Sequence, residues 1–169
     1  LFRFNTGGPI PDFHTHMDLM SHLGTHCECP YHHDDNWPSA ADLPLTTFLG
    51  RAVYVDFKDT VAKRGHITAA DLDREAGKVK ELGMGNDRYH LLDIDENDKE
   101  ISVKEAVKDV KPFHDILMAE NIVFLEVLKN LEQLKKDVFF MSYSPLPILG
   151  LESSPVRAYA IEGLAEFSE

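Results

Sequence analysis

Residues 122–128, IVFLEVL, are apolar at every position but one, and the exception is a carboxylate. A short run this rich in β-branched and aromatic side chains reads as an interior strand. Glu126 must then be ion-paired, hydrogen-bonded or metal-bound, because an isolated charge in an apolar environment is strongly disfavoured. From this segment alone, a strand-end position reaching solvent explains it equally well. Around this strand the pattern alternates. Strands are expected at 51–57 (RAVYVDF), 88–94 (RYHLLDI), 137–143 (DVFFMSY) and 156–161 (VRAYAI). A helix is expected over 67–82, with Thr68 and Asp71 forming a capping-box-like start and Gly83 a stop. Shorter helices are expected within 101–110, over 112–121 with Pro112 near the start, and over 130–136. Strands interleaved with helices define an α/β chain.

With 169 residues, 43% of them hydrophobic, the chain can bury a core as a single domain over 1–169. No internal repeat or low-complexity linker divides it. A net charge of -12 opposes binding to nucleic acid or to an anionic membrane surface. No apolar run approaches the roughly 18–20 residues of a membrane span. The expected compartment is the cytoplasm. The opening residues LFRFNTGG carry no initiator methionine, so an upstream segment outside this sequence is expected.

The densest chemistry lies at 21–33, SHLGTHCECPYHH. Cys27 and Cys29 are the only cysteines, too close for ordinary disulfide geometry and too few for a zinc knuckle. They read as small semi-buried thiols. His22, His26, Glu28 and His32 all fall in period-two register, which on an extended stretch sends them to one face. His26 and Glu28 would stand roughly 6–7 Å apart along a strand, suited to chelating one ion. His22 is too far away on a flat strand, so a bend at Gly24 is required. Imidazole with carboxylate suits zinc, with manganese, iron or cobalt as alternatives. His114 reads by itself as a capping or core histidine. His14 and His16 are candidates for supporting or substrate-contact roles. His33, His66, His90 and Trp37 read as surface or packing residues. No nucleophile elbow or phosphate-binding loop is present, and a Cys–His hydrolase is less suited to the spaced histidines than a metal site.

HLGTHCECPYH resembles the H-x-G-T-H-x-[DE]-x-P-x-H signature of the putative cyclase family, which includes bacterial kynurenine formamidase and isatin hydrolase. FHDILMAENIVFLEVLKNLEQL resembles that family's His-bearing helix and Glu-bearing strand, and ESSPVRAYAI resembles its closing segment. The resemblance implies a swivelling β/β/α fold assembled as a homodimer or homotetramer. It implies His22, His26 and Glu28 as ligands of a first divalent ion, with Glu28 bridging to a second held by His114 and Glu126. His32 takes the position of the proton donor and acceptor, and Glu126 serves catalysis as well as binding. The implied reaction is hydrolysis of a small amide, lactam or ester by metal-activated water. A lyase or cyclase acting on a small carbonyl compound, and a catalytically silent metal-binding member, are the rival readings. Three departures stand out. Glu28 replaces the Asp of kynurenine formamidases, cysteines flank it, and a loop, helix and strand expected near 92–93 are absent.

Overall fold

The computed structural model describes residues 2–5, 7–9, 12–64, 70–71, 74–75, 91–92 and 114–164. Among these, three small sheets and few helices make up the fold. β1 (Phe2–Asn5) and β2 (Phe13–His16) form an exposed antiparallel ribbon. β3 (His26–Glu28) lies inside a four-stranded sheet ordered β5-β6-β3-β8, formed with β5 (Leu91–Leu92), β6 (Phe124–Glu126) and β8 (Ser153–Pro155). β4 (Leu49–Val53), β7 (Val138–Ser142) and β9 (Tyr159–Ile161) form the third, antiparallel sheet.

The core lies between the second and third sheets. Along β7 the side chains alternate, so Phe139 and Met141 are buried while Val138, Phe140 and Ser142 are only half-buried. Tyr143 continues the inward face, and its hydroxyl donates to the Thr47 carbonyl at 3.0 Å. Phe48, Ala52, Val123 and Leu125 complete the cluster together with Cys27 and Cys29. Both thiols are fully buried rather than semi-buried. The pleat explains this: β3 sends His26 and Glu28 to one face and Cys27 to the other, and Cys29 keeps the same parity as Cys27. Hydrogen bonding with Cys29, and then burial, push the Cys27 thiol far above its ordinary pKa. The cysteines are therefore core residues and lie on the face of β3 away from the polar cluster.

The strand expected at 51–57 runs instead over Leu49–Val53. Asp56 ends it by accepting from the Lys58 N–H at 2.8 Å, which caps α1 (Lys58–Arg64), a helix not expected there. The helix expected over 130–136 shortens to a 3-10 turn, Leu131–Gln133. The strand expected at 156–161 is confined to β9, and β8 precedes it unanticipated. Residues 114–119 are helical, and so are 70–71 and 74–75 within the helix expected over 67–82. The rest of that helix with Thr68 and Gly83, the segment 101–110, Pro112, His66 and His90 lie outside the described residues, as does all of 88–94 except β5. Among the described residues no helix is long and apolar enough to cross a membrane.

Candidate metal centre

Strand register creates the floor of the site. His26 lies opposite Glu126 on β6, and Glu28 lies opposite Phe124. Directly opposed residues in an antiparallel pair share a face. His26, Glu28 and Glu126 therefore emerge together on the side of the sheet away from the core. His26 and Glu28 are buried, each only 4% exposed.

Period-two register accounts for these residues but not for His22 or His32. The chain turns at 21–22 and bends at 24–25, with Gly24 at φ +62°, and this folds His22 back over β3. The bend at Gly24 is thus where the sequence requires it. His32 is brought in by a 3-10 turn, Pro30–His32, with Pro30 at its first position. The structure gathers the expected residues by one strand and two turns rather than by one continuous strand.

The two oxygens of Glu28 face opposite ways. Oε1 lies 2.8 Å from His22 Nδ1, 3.4 Å from His26 Nε2 and 3.9 Å from His32 Nε2. Oε2 is buried without a hydrogen-bond partner, and His114 Nε2 stands 3.5 Å away. Glu126 spans the same gap, with Oε1 3.2 Å from His114 Nε2 and Oε2 3.5 Å from His26 Nε2. His26 Nδ1 lies 2.7 Å from the Gly24 carbonyl. A carbonyl only accepts, so Nδ1 carries the proton and the Nε2 lone pair points into the cluster. His22 Nδ1 approaches that same Nε2 at 3.2 Å.

Such convergence of lone pairs, around a buried carboxylate oxygen lacking a donor, fits a cation better than it fits the side chains alone. Two sets of three donors lie within 4.8 Å of one another: His22, Glu28 and His32, and His26, Glu28 and Glu126. Glu28 belongs to both. Burial acts to raise its pKa, but His114 and the charges of His32 and His22 outweigh that and hold it at about 2. Burial lowers the pKa of His32, with Glu28 opposing and His22, His33 and His114 reinforcing, so its neutral form dominates at pH 7.

Two outer contacts escaped the sequence reading. Ser21 Oγ donates to Glu152 Oε1 at 2.5 Å, and that oxygen lies 3.8 Å from His22 Nε2. Burial pushes Glu152 up, yet the Ser21 bond, its own backbone and the charges of His22 and His32 keep it below the usual range. His33 is no ordinary surface residue either, because its Nδ1 bonds Asp115 Oδ1 at 2.5 Å and its ring stacks on His114. The His32–His33 doublet was the only available signal for it. His14 and His16 stay on the exposed β2 ribbon, where His14 pairs with Asp12 at 2.9 Å. Trp37 is half-buried.

The fold and its His/Glu cluster define an α/β chain built around a candidate metal centre at a sheet face. The family described as putative cyclase matches residues 3–86. Among solved structures, isatin hydrolase A from Ralstonia solanacearum superposes with a TM-score of 0.64 at 20% identity, over 89% of this chain and 74% of that one. Isatin hydrolase A from Labrenzia aggregata gives 0.67 at 18% identity, over 90% and 77%. A "predicted metal-dependent hydrolase" from Bacillus stearothermophilus gives 0.58 at 17% identity, over 94% and 85%. No curated protein matches. The putative cyclase family model thus covers the first half of the chain, and the chain as a whole shares the fold of these solved structures.

Proposed function

We propose that this chain is a metal-dependent hydrolase of a small amide, lactam or ester. The observation that carries this reading is Glu28, a buried carboxylate whose two oxygens face His22 and His26 on one side and His114 on the other. His22, His26, Glu28, His114 and Glu126 are the assigned ligands, with zinc as the leading ion and manganese the alternative, in one or two positions. A bound divalent ion would supply Lewis acidity and an activated water at neutral pH. His32 and His22 line the more open edge, with side chains 32% and 30% exposed, while His26 and Glu28 lie deep. Substrate and water therefore reach the cluster beside His32. There its neutral imidazole accepts a proton from water and returns it to the departing amine or alkoxide. Several isatin hydrolase structures share this fold, which favours a cyclic amide among the substrates to be tried.

Elemental analysis of the purified protein, with turnover measured on formyl amides, lactams and esters, tests the proposal. About one or two equivalents of divalent metal and hydrolysis of at least one class are expected. His26→Ala should remove both. Normal metal content and activity in His26→Ala would sink the assignment. The family's description as a cyclase keeps a lyase as the second reading. A product that loses water, or keeps the substrate mass, would favour it over hydrolysis.

A further inference from the structure

His114 is gripped from both sides. Its ring stacks on Phe124 with centroids 4.2 Å apart and planes 15° apart, and on His33 at 5.3 Å and 8°. His33 is fixed in turn by the bond from Nδ1 to Asp115 Oδ1. Phe124 is the β6 residue opposite Glu28, and Asp115 adjoins His114 on the helical stretch 114–119. Three flat groups thus lie in one stack, ending in a hydrogen bond that returns to the helix carrying the central ring.

We infer that His33 and Asp115 form a latch that positions the His114 imidazole for metal binding. The inference deepens the proposed function and rests on its assignment of His114 as a ligand. Stacking from both faces fixes the plane of His114, while Nε2 stays directed at Glu126 Oε1 and Glu28 Oε2. Without a partner, an imidazole on a short helix turns about its side-chain torsions, and each rotation removes Nε2 from the two carboxylates. The latch also ties the turn that ends in His32 to the helix that bears His114, across 82 positions of sequence. It therefore sets the spacing between the proton-transfer group and the far side of the cluster. His33 is a positioning residue, because its ring contacts a ligand rather than the reacting atoms.

The test titrates zinc(II) and cobalt(II) into chelator-treated protein carrying His33→Ala, His33→Phe, Asp115→Asn or His114→Ala, with circular dichroism to verify folding. Residues that orient a ligand typically contribute about 10- to 100-fold to metal affinity. His33→Ala should weaken binding by about that factor and shift the cobalt(II) visible spectrum in the same direction as His114→Ala. His33→Phe keeps the stack without the hydrogen bond and should recover part of the loss. Asp115→Asn keeps an acceptor and should lie nearest the parent protein. The latch is overturned if folded His33→Ala and His33→Phe both match the parent in affinity and spectrum while His114→Ala does not. If His33→Ala fails to fold, His33→Phe decides, and parental affinity and spectrum in that variant overturn the latch. Should His114→Ala itself bind both ions as the parent does, the ligand assignment falls and takes the latch with it.

Discussion

Glu28 holds its charge at neutral pH although it is buried, because the surrounding imidazoles outweigh the cost of removing it from water. Glu28→Gln preserves its shape and abolishes the charge that attracts a cation. Changing groups that merely orient ligands costs about 10- to 100-fold in affinity, so losing this ligand should cost more than about 100-fold. Dialysis against zinc followed by elemental analysis reads the result, and a stoichiometric ion in Glu28→Gln would refute the bridging role. His32 yields a different signature. Its pKa lies below 6.5 in the fold, so the proton-accepting form is lost only as the pH falls below that value. Turnover should rise with pH through a midpoint below 6.5 and then level off. His32→Ala should keep its metal and lose about 10²- to 10⁴-fold in rate. Because His32 also lies within ligand distance of His22 and Glu28, loss of metal from His32→Ala would reassign it as a ligand.

At the scale of elements, β3 and β6 hold the site only if their ends stay in register. Val127, directly after Glu126, has φ +56°, an unusual conformation for a β-branched residue. Thr25 secures that turn by donating from Oγ1 to the Val127 carbonyl at 2.8 Å, and its own carbonyl accepts from the Val156 N–H at 3.0 Å. Thr25→Val removes one hydrogen bond, worth about 1 kcal/mol, and frees the end of β6 that presents Glu126. Denaturant unfolding should show that loss, and metal affinity should fall with it. Thr25→Ser, which retains the donor, should restore both, and equal behaviour of the two variants would refute the role. The same elements show what the sequence could and could not disclose. His26, Glu28 and Glu126 were legible because a strand's alternation and a lone carboxylate in an apolar run are local signals. β8 was not, since Ser153, Ser154 and Pro155 lack β propensity, and proline is tolerated there because β8 is an edge strand. Asp56 converted the end of an expected strand into a helix cap through a single side chain. The contacts of His33 and Glu152 join residues 82 and 131 positions apart, beyond any local pattern.

Over the whole molecule, the cluster draws on segments that the chain separates widely: the turn at 21–25, β3, the 3-10 turn at Pro30–His32, the helical stretch 114–119 and β6. The unfolded chain scatters these donors, so an ion that binds here binds the folded state far more tightly than the unfolded one. At a free ion concentration about 100 times Kd, that linkage stabilises the fold by about 2.7 kcal/mol. For a chain of this size each kcal/mol moves Tm by about 2–4 °C, so zinc should raise the Tm of chelator-treated protein by roughly 5–10 °C. A metal ion and protons compete for the same imidazole and carboxylate donors, so the shift should shrink as the pH falls from 7.5 to 5.5. Thermal melts with and without zinc, at both pH values, read this directly. His26→Ala should abolish the shift at either pH, because it removes the imidazole whose Nε2 faces both Glu28 and Glu126. Identical melting with and without zinc in the parent protein would show that these donors do not share an ion, whatever their geometry. A shift that survives in His26→Ala would place the ion elsewhere on a chain whose net charge of -12 offers many weaker carboxylate sites.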